Sequence, residues 1–218
     1  MSIFKKSGHI LFALFAIAAI SCNDNDQQSS KKINDEVNDV VAVIPAVDHL
    51  PAWKNYMAKT IPAFSEEKFS ATYNSPWESF EPTPVNGKDL TLYKSYLAYN
   101  SDSSKAIDVY SYNLLLRNKN GSVTAAQGDP DSQINLVDLK NKTSQRIFFT
   151  GPSAAFWDAK WIDDNRILVA GTEEDEPAYW IISVTGKNIQ QYQYEDSLTV
   201  TLSRDEYLKQ KMPGIIFH

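Results

Sequence analysis

The sequence predicts a mainly β fold of antiparallel blade-like sheets or a sandwich, with a small helical or irregular N-terminal lobe and a short C-terminal helix. Three observations lead there. From Lys88 onward, short runs rich in aromatic and β-branched residues recur about every ten residues, separated by Asn, Asp, Ser and Gly clusters. Leu198, Val200 and Leu202 alternate with Thr199 and Thr201, the period of a half-buried strand. Helix signals are confined to the flanks of this region.

Taken in order, residues 35–44 carry Val37, Val40, Val41 and Ile44 at helical spacing but are short and β-branched, so helix and strand both remain open. Pro51 to Thr60 reads as a helix, with Pro51 in the first turn, Trp53 and Met57 four apart, and Pro62 beyond the end. Ser75-Pro76-Trp77-Glu78 matches a capping box and predicts a helical turn. The change to the β domain is placed near residue 87. Strands are expected within Leu90–Tyr99 and Ile107–Arg117, the latter closed by the turn Asn118-Lys119-Asn120-Gly121. Further strands are expected at Ile134–Leu139, Gln145–Thr150, Phe156–Ile162, Arg166–Ala170, Ala178–Val184, Ile189–Tyr194 and Leu198–Leu202. Ser203 and Glu206 cap a final helix reaching Met212, and Pro213-Gly214 stops it. The expected core draws on Leu92, Ile107, Val109, Leu115, Ile134, Leu136, Ile147, Phe156, Ile167, Val169, Ile181, Val200 and Leu202.

The first 26 residues bear on location. Lys5 and Lys6 precede an apolar run, Ile10 to Ile20, of 11 residues. That is too short for a bilayer, which needs about 20. Ser21-Cys22 and the polar Asn23-Asp24-Asn25-Asp26 follow, the order of a secretory signal. Ala19-Ile20-Ser21-Cys22 resembles a bacterial lipobox, with Ala19 where Leu is more usual. Asp24 and Asp26 resemble the export signal of surface lipoproteins in Bacteroidetes-type bacteria. The resemblance implies cleavage before Cys22, lipid on Cys22 as the membrane attachment, and residence at the cell outer membrane, with either face open. Residues 1–21 are then the signal, 22–34 a polar tether, 35–87 the N-terminal lobe, and 88–218 the β domain with its C-terminal helix.

Composition narrows the function classes. At 43% hydrophobic and 12% aromatic the chain can bury a core. The net charge of −6 becomes −8 without Lys5 and Lys6, which argues against a nucleic-acid partner. Cys22 is the only cysteine, so neither a disulfide framework nor a Cys nucleophile is predicted.

Residues 156–171, FWDAKWIDDNRILVAG, followed by the strand-like Tyr179–Val184, resemble a β-propeller blade. The resemblance covers residues 88–196, about two blades. A closed ring needs at least about four blades, so the local pattern is expected rather than the ring.

Catalytic chemistry has few candidates. Past the signal only His49 and His218 remain, one beside a helix start and one at the last position. Neither placement predicts a held imidazole. No phosphate-loop or dinucleotide fingerprint is present, so no cofactor is expected. Asp163, Asp164, Glu173, Glu174, Asp175 and Glu176 flank one predicted strand. A carboxylate pair at fixed separation can hydrolyse glycosides; turn formation is the simpler reading. Gly128-Asp129-Pro130-Asp131-Ser132 superficially resembles a calcium loop but lacks its spaced ligands and terminal Glu, so no metal is expected. Trp157 and Trp161 are four apart, and on a regular strand they share a face; with Tyr179 and Trp180 they form either core or a sugar-stacking platform. The leading expectation is a non-catalytic, lipid-tethered binding or assembly module with an envelope protein or glycan as partner. The alternatives are a carboxylate-dependent glycan hydrolase and a structural subunit completing a partner's β-sheet.

Overall fold

The computed structural model describes residues 46–78, 80–85 and 90–218. The expected signal, Cys22, the expected tether and residues 35–44 lie outside the described residues. A 3-10 turn at Ala46–His49 leads into helix α1, Pro51–Thr60. Among the described residues thirteen strands follow: β1 Phe69–Pro76, β2 Thr83–Pro84, β3 Ala98–Tyr99, β4 Lys105–Asp108, β5 Leu114–Lys119, β6 Ser122–Gln127, β7 Ser132–Asp138, β8 Thr143–Thr150, β9 Ala154–Trp161, β10 Arg166–Glu173, β11 Glu176–Ser183, β12 Asn188–Tyr194 and β13 Ile215–Phe217. Helix α2, Arg204–Lys211, precedes β13.

Hairpins build two five-stranded antiparallel sheets on one plan. In the first, β9 to β12 meander in sequence order, and β1 from far upstream adds to the outer edge of β12. In the second, β3, β4, β7 and β8 meander around the β5–β6 excursion, and β2 adds to β8. Strand β9 lies against β3, β4 and β7, joining the sheets. A third, three-stranded sheet pairs β5 with β6, and β13 runs parallel to β6. The outer edge of β5 is blunted by Tyr93, whose hydroxyl donates to Leu114 O at 2.7 Å and accepts from Leu116 N at 3.1 Å.

Local sequence explains most elements. Pro51 sits in the first turn of α1 as expected, and the helix buries Trp53, Tyr56 and Met57. The β5–β6 turn uses Asn120 and Gly121 at φ 53° and 83°, the two positive values a two-residue hairpin loop demands. Ser203 caps α2 by accepting from Glu206 N at 3.3 Å. Ile107, Val109, Ile134, Ile147, Phe156, Ile167, Val169 and Ile181 are buried as expected, whereas Leu92, Leu115, Leu136, Val200 and Leu202 are half-buried.

Five expectations are corrected. Ser75-Pro76 does not start a helix; it ends β1, opposite Ile189 and Asn188, and Ser75 Oγ donates to Pro76 O. Leu198–Leu202 forms no strand, because the edge of β12 it would need is occupied by β1. The run Ile107–Arg117 is broken by Asp108, whose Oδ1 accepts from Tyr110 N at 2.9 Å and Ser111 N at 3.0 Å and folds the backbone into a turn. Leu90–Tyr99 is mostly turn and 3-10 helix, with only Ala98–Tyr99 extended. Residues 69–84, assigned to the N-terminal lobe, instead supply β1 and β2 to the two large sheets.

Candidate functional site

The aromatic residues singled out above are interior. Trp157, Trp161, Tyr179 and Trp180 are 2%, 7%, 3% and 0% exposed, which removes an exposed sugar platform made of these four. Each ring is already engaged. Trp157 meets Tyr56 and Tyr207 at centroid distances of 5.7 and 5.8 Å. Trp161 Nε1 donates to Ala98 O at 2.9 Å. Tyr179 stacks on Tyr192 at 4.7 Å, and Trp180 meets Phe156 edge-on at 4.9 Å.

The carboxylates divide between two turns. Asp163 and Asp164 lie between β9 and β10, and Glu173 to Glu176 span the β10–β11 turn, at the other end of β10. Seven residue steps at about 3.3 Å separate Arg166 from Glu173, roughly 23 Å, against the ~5 to 10 Å of a glycosidase pair. The Asp163–Glu173 hydrolase pair is therefore not assembled. Asp163 instead accepts from Asn165 N and Arg166 N. Partial burial opposes its charge, but these N–H groups and the Arg166 guanidinium outweigh burial and lower its pKa. Asp129 accepts from Asp131 N at 3.0 Å, a turn role. Among the described residues no group of three or more His, Cys, Asp or Glu is placed to hold a metal ion. His49 is half-buried in its 3-10 turn.

A site absent from these expectations is built on a single irregularity in β9. Phe156 pairs with Gly171 and Asp158 with Ala170, leaving Trp157 as an extra residue. This β-bulge sends Trp157 and Asp158 to the same element: the Trp157 ring meets Tyr207, and Asp158 Oδ2 accepts from the Tyr207 hydroxyl. Two successive carbonyls at the bulge bond outside the ladder. Phe156 O accepts from Arg204 Nε at 3.1 Å, and Trp157 O from the Tyr110 hydroxyl at 2.8 Å. Gly171 makes the bulge possible, since a Cβ there would lie 1.9 Å from Ala155 O.

Helix α2 is clamped over the bulge. Asp158, 2% exposed, also accepts from Lys211 Nζ and from its neighbour's Ala159 N at 2.8 Å. The Tyr56 hydroxyl accepts from Ser203 N and donates to Ser203 O, both at 3.1 Å, fixing the start of the helix. Burial, reinforced by the Asp158 charge, pushes the Tyr207 and Tyr110 hydroxyls far above the ordinary tyrosine range. Both therefore act as neutral hydrogen-bond donors.

Arg204, the first residue of α2, lines a cleft of about 320 Å³ among the β5–β6 hairpin, the β8–β9 connection and β13. Its Nη2 donates to Asn113 Oδ1 at 3.0 Å. Asn113, 5% exposed, is itself fixed by donating to Ser132 Oγ at 3.0 Å and Asp131 O at 3.3 Å. Burial lowers the Arg204 pKa, yet the group stays a cation at any ordinary pH. Among the described residues it forms no ion pair. Asp129 and Asp205 line the same cleft, with apolar walls at Leu114, Ala154 and Phe217. The arrangement offers a rigid cation and separate carboxylates to one small ligand. The sequence carried one sign of it: a positive residue in the first turn of a helix opposes the helix dipole, so something else must hold it there.

No family model, no curated protein and no solved structure matches this chain.

Proposed function

We propose that this chain is a lipid-tethered binding module of the cell envelope, attached through Cys22, and that the Arg204 cleft receives an amino acid or short peptide in zwitterionic form. One observation carries the ligand reading: a guanidinium fixed by Phe156 O and Asn113 Oδ1, without an ion-pair partner among the described residues, shares a small cleft with two carboxylates. A ligand carboxylate on Arg204 forms a charge-assisted hydrogen bond that the protein leaves unmade. A ligand ammonium is complementary to Asp129 and Asp205. The apolar walls are compatible with small side chains. A volume near 320 Å³ is at the small end of ligand sites, which span about 300 to 1,000 Å³. The tether and outer-membrane location rest on the lipobox-like Ala19-Ile20-Ser21-Cys22 and the polar stretch after it. Among the described residues, no helix is long and apolar enough to cross a membrane.

Titration of the full chain with Ala-Ala, N-acetyl-Ala-Ala and Ala-Ala-amide tests the ligand. Ala-Ala should bind, each blocked form about tenfold or more weaker, and Arg204→Lys should lose most of the affinity because the fork geometry is gone. Equal binding of all three, or none, overturns the ligand reading. The tether is tested by intact mass of the native protein, which should show an acylated N-terminal Cys22; an unmodified Cys22 overturns it.

A further inference from the structure

A second groove lies at the other edge of the first sheet, against β8. β1 carries its own bulge: Ala71 pairs with Tyr192 and Tyr73 with Gln191, leaving Thr72 extra. A bulge turns two successive residues toward one side, and Thr72 and Tyr73 both line a groove of about 420 Å³ with Phe148, Glu173, Gln191 and Gln193. Tyr73 is 47% exposed, one of four large apolar or aromatic side chains left open among the described residues. Its ring is therefore an accessible apolar plane beside polar neighbours.

Those neighbours are oriented before any ligand arrives. Gln191 Oε1 accepts from Trp180 Nε1 at 3.1 Å, which leaves its Nε2 as the donor end. Gln193 Nε2 donates to Glu173 O at 3.3 Å, which leaves its Oε1 as the acceptor end. Glu173 Oε1 accepts from Ser153 Oγ at 3.0 Å, and the Thr72 hydroxyl can donate or accept. The groove thus sets a flat aromatic face beside fixed donors and acceptors. Sugars present the matching surface, with apolar C–H faces that stack on an aromatic ring and hydroxyls that each need both a donor and an acceptor. Among the described residues, Glu173 and Glu174 are the only charged ones lining it, which disfavours an acidic ligand.

We infer that the Tyr73 groove binds a neutral glycan, at a site separate from the Arg204 cleft. Full-chain protein should be titrated calorimetrically with cellohexaose, maltohexaose and mannohexaose at millimolar concentration, with tetralysine as a charge control. At least one hexasaccharide should bind. Tyr73→Ala should weaken it about tenfold or more without moving the melting temperature, while Tyr73→Phe keeps the affinity. Three outcomes overturn the inference: no hexasaccharide binds, Tyr73→Ala binds as well as the parent, or tetralysine binds in their place. Ala-Ala binding should be unchanged in Tyr73→Ala, so failure here leaves the Arg204 reading standing, and the reverse also holds.

Discussion

Gly171→Ala is the most direct test of how this site is built. The new Cβ would lie 1.9 Å from Ala155 O, 3.0 Å from Ala155 C and 3.2 Å from Phe156 Cα, all backbone atoms. Ordinary contact begins at 3.4 Å, so β9 must retreat from β10 by about 1.5 Å or the bulge must be expelled. Overpacking in a closed core typically costs about 1 to 3 kcal/mol. Either response also moves Phe156 O from Arg204 and Trp157 O from Tyr110. A neutral bond contributes about 1 kcal/mol and one from a charged donor about 1.5 to 3 kcal/mol. The expected loss is about 3.5 to 7 kcal/mol, against total stabilities of about 5 to 15 kcal/mol for a domain. Guanidinium unfolding followed by tryptophan fluorescence measures it, because Trp157, Trp161 and Trp180 all lie in this sheet. Gly151→Ala is the control: nothing lies within 4 Å of its Cβ position, so its effect should stay within about 1 kcal/mol, of either sign. A Gly171→Ala loss below about 1 kcal/mol would refute the account of the bulge.

Other outcomes follow from the same packing. Trp157→Ala should cost about 3 to 5 kcal/mol by thermal unfolding and leave hexasaccharide binding at Tyr73 intact; a glycan-specific loss without destabilisation would contradict its core role. Asp158→Ala strands Lys211 and Tyr207 at a buried position and should cost about 3 to 5 kcal/mol, whereas a combined Asp158→Ala/Lys211→Met variant should recover part of that; additive effects in this double-mutant cycle would show the pair is uncoupled. Burial, helped by Glu174 and opposed by the Ser153 hydrogen bond, raises the Glu173 pKa above its usual 4.5. The folded state then holds this proton more tightly than the unfolded chain, so the group's contribution to stability is fully present below 4.5 and is lost as pH rises through the folded value. Glu173→Gln should therefore gain stability relative to the parent as pH rises above about 4.5, read from paired melting curves; a pH-independent difference would mean the carboxyl is not perturbed.

What was legible in the sequence was local chemistry. Ser203 and Glu206 with Pro213-Gly214 specify α2, Pro51 starts α1, and Asn120-Gly121 turns the β5–β6 hairpin, because each acts through bonds and φ angles within a few residues. The strands β7 to β12 were readable for the same reason, each an apolar run closed by its own turn. Trp157 and Trp161 are core, one of the two readings the sequence left open, but the shared face that periodicity gave them does not hold: the extra residue at Trp157 shifts the alternation, and only the partner residue Gly171 permits it. Leu198–Leu202 has a strand's pattern but no edge to join, since β1 reaches β12 from more than a hundred residues upstream. Beyond the cation in the first turn of α2, the Arg204 cleft was hidden, because Phe156, Asn113, Asp129 and Arg204 meet only after two sheets and a helix are in place. Hydrogen bonding and steric limits within a turn decide themselves from neighbouring residues. Which edge is filled, which carbonyl bonds outside a ladder and which charge is left unpaired depend on partners that only the folded chain brings together.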